Sequence, residues 1–288
     1  MRKTMLLLLA AVVILGACEL HITPKSTDPA ITIALSDHIV VFDEQQPLGD
    51  RLFVFLPGSG GTPAGYELLL EEVADAGMPA IGLSYPNTPS VASLCGGGTD
   101  PDCFEQVRRE RLYGVNESTL VNVSPANSIQ NRLTKLLQRL RWTQFLDGDA
   151  PRWDKIVIAG HSQGGGHAAM IAKDHVVARV VFFAAPGDWI NGGPAPWLLE
   201  PHATPIEDYY GFVHIDDGPV FLANWFFLGL PGANTSIDGA SPPYGGAQRL
   251  TTDLNVANPH GAVAGDSATP LVNGEPRYAE VWRYLCCS

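Results

Sequence analysis

Ser162 lies in a pattern of residues whose types and spacing suit a nucleophile. It is the central residue of Gly160-His161-Ser162-Gln163-Gly164, with a glycine two positions before it and another two positions after it. Four apolar residues at 156–159 predict a buried strand, and the glycine- and alanine-rich stretch after the pattern predicts a helix. A serine on such a sharp turn needs neighbours without side chains, because a Cβ there would collide across the bend. The sequence therefore predicts a serine nucleophile held between a strand and a helix.

The stretch GHSQGG in this setting resembles the α/β-hydrolase superfamily, especially its bacterial esterase and lipase-like members. The resemblance implies an α/β fold with a mostly parallel central sheet of about eight strands and helices on both faces. It also implies a serine hydrolase that cleaves carboxylic esters through an acyl-enzyme, with no cofactor. The same arrangement could act on amides or polyesters, and a catalytically silent binding protein on this fold is a further alternative.

The resemblance also indicates where the acid of a catalytic triad should lie. The predicted strand 209–215 is followed by Asp216 and Asp217. Asp217 is in register with the acid of a G-x-x-D-x-x-V setting, although His214 takes the place of the glycine. Asp216 is a close rival, and Asp188 occupies the alternative location used by some lipases.

His260 is the expected base. It is the only histidine after residue 214, and it lies in a turn after the predicted last strand, 248–254. The chain order Ser162, Asp217, His260 matches the order of nucleophile, acid and base in the superfamily.

The oxyanion of such a reaction needs main-chain N–H donors. The amide of Gln163, at the start of the predicted helix, is one candidate. By resemblance the loop after strand 51–56 supplies the second donor, expected at Ser59 with Gly60 as the alternative. This loop departs from the family pattern, because Pro57 stands where a histidine is common.

The N-terminus carries the features of an export signal. Arg2 and Lys3 precede a short apolar run, which ends in Leu15-Gly16-Ala17-Cys18. This ending resembles a bacterial lipobox and implies lipidation at Cys18. We therefore expect a signal peptide at 1–17, a lipidated tether at 18–30 and a catalytic domain at 31–288. The protein is then expected in the bacterial cell envelope, anchored to the membrane through its lipid. The absence of aspartate after Cys18 favours the outer membrane if the organism is Gram-negative.

The charge of the protein argues against one class of partner, and its expected export bears on how the cysteines other than Cys18 could pair. The net charge of −12 argues against binding to nucleic acid. In an exported protein Cys95 and Cys103 are expected to form a local disulfide across a Gly/Asp/Pro-rich loop. The adjacent Cys286 and Cys287 could pair with each other or elsewhere. The spacing of cysteines and histidines predicts no metal site.

Hydrophobic patterns predict the remaining elements that would carry these residues. Strands are expected at 31–35, 39–42, 51–56, 78–85, 156–159, 179–185, 209–215 and 248–254, and helices at 66–76, 127–142, 221–230 and 278–285. Arg108, Arg109 and Arg111 lie on a short helical stretch, where the favoured interpretation is a solvated face and the alternative is the border of the cleft.

Overall fold

The computed structural model describes residues 18–288. The predicted signal peptide, 1–17, lies outside the described residues. Of the helices within 18–288, none combines the length and the apolar character that crossing a membrane requires.

The described chain alternates strands and helices. The strands are β1 Cys18–Ile22, β2 His38–Phe42, β3 Leu52–Leu56, β4 Ala80–Gly82, β5 Leu146–Asp147, β6 Ala150–Pro151, β7 Ile156–His161, β8 Arg179–Phe183, β9 Trp189–Ile190, β10 Gly193–Pro194, β11 Tyr209–His214, β12 Thr235–Ser236, β13 Arg249–Thr252, β14 Leu271–Val272 and β15 Glu275–Pro276. The α-helices are α1 Pro24–Thr27, α2 Glu67–Asp75, α3 Val91–Cys95, α4 Cys103–Tyr113, α5 Ile129–Leu140, α6 Gln163–Asp174, α7 Val220–Leu228, α8 Pro259–Ala262 and α9 Ala279–Cys287.

One nine-stranded sheet organises these elements, in the order β1-β2-β4-β3-β7-β8-β11-β13-β12. β2 is antiparallel to both of its neighbours, whereas all pairs from β4 to β12 are parallel. This order, with an antiparallel edge and a parallel remainder, confirms the predicted α/β-hydrolase fold. The sheet has nine strands where about eight were expected.

The central strands form because their residues are apolar on both faces. Every residue of β3 and β7 is buried, and these two strands pair in parallel from Leu52–Ile156 to Leu56–Gly160. Strands that are covered by helices on both faces have continuously hydrophobic sequences, and for this reason the sequence predicts them well.

The parallel strands bring the candidate site residues to one edge of the sheet. Parallel strands end at the same edge, and ligands of open α/β sheets bind outside it. Five segments that follow β3, β7, β8, β11 and β13 carry, in that order, Ser59, Ser162, Asp188, Asp217 and His260.

The first part of the described chain differs from the prediction. The expected tether, 18–30, contains β1 and α1, and β1 pairs along its whole length with β2, from Cys18–Phe42 to Ile22–His38. Residues 31–35, expected to form a strand, form none. The edge strand, 18–22, therefore lies thirteen residues earlier in the chain than the segment 31–35 that the apolar pattern indicated.

A buried arginine explains why residues 31–35 leave the sheet. Arg132 of α5 donates to the main-chain oxygens of Ile33 at 2.5 Å and Ala34 at 2.9 Å, and Asn127 accepts from the amide of Thr32 at 2.9 Å. The backbone groups that a strand would use for pairing are thus bonded to side chains of another element.

Candidate active site

Ser162 occupies the strained turn that the sequence predicts. It separates β7 from α6 and has φ 53° and ψ −118°, a conformation that costs a non-glycine residue about 1–3 kcal/mol. Its amide donates to the carbonyl of Phe183 on β8 at 2.9 Å. The turn is therefore held by the neighbouring strand, and the serine is half-buried.

The glycines around Ser162 are required by close backbone contacts. A Cβ on Gly160 would lie 2.3 Å from the carbonyl carbon of Gly164, and a Cβ on Gly164 would lie 1.9 Å from the carbonyl oxygen of Leu56. The spacing in GHSQG therefore reflects contact across the bend and against β3.

Asp217 and His260 are joined by a hydrogen bond. His260 Nδ1 lies 2.7 Å from Asp217 Oδ2, and the carboxylate is largely buried while the imidazole is about one-third exposed. With Nδ1–H donating to the carboxylate, the Nε2 of a neutral His260 has its lone pair available to accept a proton.

Three further hydrogen bonds, made by two side chains, hold the segments that carry this pair. His214, at the end of β11, accepts the amide of Asp216 at 3.1 Å and donates to the carbonyl of Leu254 at 2.7 Å. Asn258 caps α8 by accepting the amide of Gly261 at 3.0 Å. The histidine that replaces a glycine before the acid thus connects the two segments that carry the pair.

The other two candidate acids lie in different surroundings. The side chain of Asp216 is 73% exposed, and its Oδ2 lies 3.9 Å from His214 Nδ1. Asp188 is 3% exposed and accepts from Arg108 and Trp197. Neither of these two carboxylates hydrogen-bonds to His260 within residues 18–288.

Within residues 18–288, no hydrogen bond joins the Ser162 hydroxyl to Asp217 or to the His260 imidazole. The ring of His161, the residue before the serine, lies with its centre 4.6 Å from that of His260. Catalytic hydrogen bonds are often long in the absence of substrate and shorten only in the reacting complex.

The loop that carries Ser59 is rigidly supported. Tyr85 donates to the carbonyl of Pro57 at 2.7 Å, and the Asn87 side chain donates to the carbonyls of Gly58 at 2.8 Å and Gly61 at 2.7 Å. Ser59 is exposed at the tip of this turn.

Gly58 brings the same loop against the nucleophile. A Cβ on Gly58 would lie 3.4 Å from the Cβ of Ser162 and 2.9 Å from His161 Nδ1. Within residues 18–288 the amide of Ser59 has no protein acceptor, and Gln163, as the first residue of α6, has no intrahelical one. Both expected oxyanion donors are therefore unpaired amides on segments that contact Ser162.

A chain of hydrogen bonds links this loop to the segment of His260. The amide of Gly58 donates to the hydroxyl of Tyr66 at 3.2 Å, and that hydroxyl lies 3.0 Å from His161 Nδ1. His161 Nε2 lies 2.8 Å from the main-chain oxygen of His260. Burial lowers the pKa of His161 to about 3, so the ring is neutral and its Nε2–H donates while its Nδ1 accepts.

The arginines of α4 contradict the favoured expectation of a solvated face. Arg108 and Arg111 are only 2% and 1% exposed, and both contact Gln163. Arg109 is the partly exposed member, paired with Glu105 and Asp174. The sequence contained a signal for this, because both buried arginines share the helical face of the apolar residues Phe104, Val107 and Leu112.

The cysteines are distributed as follows. Cys95 and Cys103 form a disulfide, which joins the end of α3 to the start of α4. Cys18, Cys286 and Cys287 are free thiols in the described chain. The two adjacent cysteines of α9 are thus not bonded to each other.

One cluster in the described chain could offer ligands to a metal ion. The ligand atoms of Glu19, His21 and Glu67 lie within 4.8 Å of one another. Glu19 and His21 are exposed, and a hydrogen bond of 2.5 Å joins Glu19 Oε1 to His21 Nε2. Exposed groups of this kind are common without an ion, and the chemistry of Ser162 does not require one.

Comparison with known proteins gives similarity only at the level of solved structures. No protein-family model and no curated protein matches the chain. A structure titled "Bacterial Heroin Esterase" aligns with a TM-score of 0.40 and 13% identity over 82% of this chain and 74% of that one. The native esterase Est2 of the Planctomycetes species Thermogutta terrifontis aligns with a TM-score of 0.42 and 17% identity, over 86% of this chain and 84% of that one. Its propionate-bound form gives 0.40 and 18% over 86% and 85%. At scores and identities this low the similarity does not bear on activity, and the assignment to the α/β-hydrolase fold rests on the strand order of the chain itself.

Proposed function

We propose that the protein is a serine hydrolase of carboxylic esters in which Ser162, Asp217 and His260 form the catalytic triad. The single observation that carries this proposal is the 2.7 Å hydrogen bond between Asp217 and His260, beside the strained turn of Ser162. The acid and the base come from segments 43 residues apart in sequence, so their contact depends on the fold that also presents the serine.

The proposed reaction proceeds through an acyl-enzyme. His260 Nε2 takes the proton of the Ser162 hydroxyl as its oxygen attacks the ester carbonyl. Asp217 holds the imidazole in the required tautomer and stabilises its protonated form. The leaving alcohol receives the proton from His260. A water molecule then gives a proton to His260 and attacks the acyl-enzyme, and the proton returns to the Ser162 oxygen as the carboxylic acid is released.

The developing oxyanion is held by the amides of Gln163 and Ser59. A single donor of this kind typically contributes about 10²–10³ in kcat. The rigid support of the Pro57–Gly61 loop serves this purpose, because a donor fixed before the reaction needs no reorganisation during it.

We also propose that the mature chain begins at a lipidated Cys18 and is anchored in the bacterial cell envelope. The support is the lipobox-like sequence at 15–18 together with the position of Cys18 as a partly exposed first residue of β1. Metabolic labelling with an alkyne fatty acid should mark the wild-type protein and fail to mark Cys18→Ala.

A fluorophosphonate probe tests the proposed triad. The full-length protein, purified in detergent, should gain one adduct by intact mass, because the Ser162 oxygen bonds to phosphorus and fluoride leaves. Ser162→Ala should gain none. Wild-type protein should then hydrolyse p-nitrophenyl esters of short or long acyl chains faster than the matching anilides. A folded wild-type protein with neither adduct nor turnover would contradict the proposal and favour a binding lipoprotein.

A further inference from the structure

The segment between β4 and α5 encloses the side chain of Gln163. The Gln163 Oε1 accepts from the amide of Val91 at 2.7 Å and from Arg111 at 2.8 Å, and its Nε2 donates to the carbonyl of Asn87 at 2.9 Å. Three polar contacts satisfy the buried amide group. The residue after the nucleophile is thus held by a segment that lies 50 or more residues earlier in the chain.

Arg108 holds the main chain of the same residue. Its NH1 group donates to the carbonyl oxygen of Gln163 at 3.0 Å. A Cβ on Gly166, one turn further along α6, would lie 2.1 Å from Arg108 NH2. The third glycine of the sequence GGG therefore makes room for the guanidinium group against the first turn of the helix.

A carboxylate compensates the buried charge of Arg108. Asp188 accepts from Arg108 Nε at 2.7 Å and from NH2 at 2.5 Å, and its Oδ2 also accepts from Trp197 at 2.9 Å. All three side chains are almost fully buried. A bidentate pair of this kind fixes the plane of the guanidinium group, which in turn fixes the direction of the bond to Gln163.

We propose that Arg108 and Arg111 are positioning residues, which orient Gln163 so that its main-chain N–H stabilises the oxyanion. The inference rests on the proposed ester hydrolysis. Arg108 fixes the backbone at the start of α6, and Arg111 fixes the side chain of the same residue. An oxyanion donor has to be held to within about 0.5 Å of its productive position, which a single helix end does not achieve without support.

The disulfide adds to this arrangement. Cys95 ends α3, whose first residue Val91 contacts Gln163, and Cys103 begins α4, which carries both arginines. The bond therefore joins the two helices whose residues donate to Gln163.

Arg111→Gln is the first test, and Arg109→Gln is its matched control on the same helix. Arg109 pairs with Glu105 and Asp174 and, within residues 18–288, makes no hydrogen bond to Gln163. For an ester substrate we expect Arg111→Gln to lower kcat about 10- to 100-fold, less than the loss of a complete donor. KM should stay within about twofold, because the contact acts in the transition state. The control should keep the wild-type kcat within about twofold, because its ion pairs do not involve Gln163.

Binding of a trifluoromethyl ketone separates positioning from a merely structural role. Addition of the Ser162 oxygen to this ketone forms a hemiketal oxyanion, so its affinity should fall in proportion to kcat/KM in Arg111→Gln. The pH profile of kcat/KM should stay unchanged, because His260 and Asp217 are untouched. Arg111→Lys, which keeps a donor and a charge, should recover part of the loss.

The double variant Arg108→Met with Asp188→Asn tests the backbone contact without leaving an unpaired buried charge. It should show the same decrease in kcat at unchanged KM. The inference is overturned if the folded variants keep the wild-type kcat. It is also overturned if their melting temperature is lower while their affinity for the ketone equals that of the wild type. A wild-type protein that neither reacts with fluorophosphonate nor cleaves esters would instead overturn the proposed function itself.

Discussion

Tyr66 Oη lies 3.0 Å from His161 Nδ1, and this contact joins the loop of Gly58 to the segment of His260. Tyr66 precedes α2 and His161 ends β7, so the contact joins two distant parts of the chain at the residue before Ser162. The hydroxyl both accepts from Gly58 and donates to His161, so one oxygen atom links two segments of the proposed site.

Removing that oxygen should weaken both catalysis and stability. Tyr66→Phe leaves the Gly58 amide and His161 Nδ1 buried without a partner, and each orphaned group costs about 1–3 kcal/mol. We expect a lower free energy of unfolding by urea denaturation and a kcat reduced about tenfold or more. Tyr113→Phe removes a hydroxyl that contacts Asp174 and His175 at the C-terminal end of α6, and this variant should be less stable without a matching decrease in kcat.

Exchanging the two adjacent carboxylates should identify the acid. Asp217→Asn removes the partner of His260 Nδ1 and should lower kcat by about 10³- to 10⁴-fold, because the imidazole loses its orienting charge. Asp216→Asn alters an exposed side chain and should change kcat by less than about threefold. Equal effects of the two substitutions on kcat would contradict the assignment.

Acid should destabilise the protein before it protonates most carboxylates. Burial lowers the pKa values of His38 and His161 to about 3 in the folded protein, against 6.5 for the unfolded chain. Above pH 6.5 both states are unprotonated. Between pH 6.5 and 3 the unfolded chain binds protons that the folded chain does not, so stability falls as pH falls.

The size of this effect can be measured. Each of these two histidines should cost about 2 kcal/mol at pH 5 relative to pH 7. Asp266 acts in the opposite direction, because burial raises its pKa to about 6 and its protonation favours the folded state as pH falls below that value. Urea denaturation between pH 7 and 4.5 should show a net loss of stability, and His38→Gln should make the slope shallower. A stability that stays constant over this range would contradict the assignment of both rings as buried and neutral.

A methyl group on α6 should report on the packing of Arg108. Gly166→Ala places a Cβ 2.1 Å from the guanidinium group, so the helix or the arginine must shift, at a cost of about 1–3 kcal/mol. Gly193→Ala, where nothing lies within 4 Å of the added atom, is the control and should leave the melting temperature almost unchanged. Similar melting temperatures for the two variants would show that Arg108 is not packed in this way.

The sequence predicts the central sheet well because its strands are continuously apolar. The segments 51–56, 179–185 and 209–215 correspond to β3, β8 and β11, and the serine turn lies where the glycine spacing indicates. The fold class was implied by the resemblance of GHSQGG, in its strand-turn-helix setting, to the α/β-hydrolase superfamily. The identity of the acid did not, because Asp216 and Asp217 are adjacent and only the backbone after β11 decides which one meets His260.

The predictions of secondary structure and exposure are wrong where polar contacts, which the hydrophobic pattern does not reveal, decide the local structure. Residues 31–35 are apolar enough for a strand, yet Arg132 donates hydrogen bonds to two of their carbonyl oxygens. Conversely, Cys18–Ile22 alternates in burial and pairs with β2 although its sequence indicated a tether. The buried arginines of α4 were missed for a related reason, since their counter-charge, Asp188, comes from a segment 80 residues later in the chain.

The three consecutive glycines of α6 each face a different neighbour. Gly164 contacts the end of β3, Gly165 contacts Ala185 after β8, and Gly166 contacts Arg108 of α4. The residues in these contacts are separated by 20 to 108 positions in sequence. The helix can therefore reach its final packing only after three separate regions of the chain have folded against it. During refolding, we therefore expect enzymatic activity to return later than secondary structure, which makes turnover itself a probe of the last step of assembly.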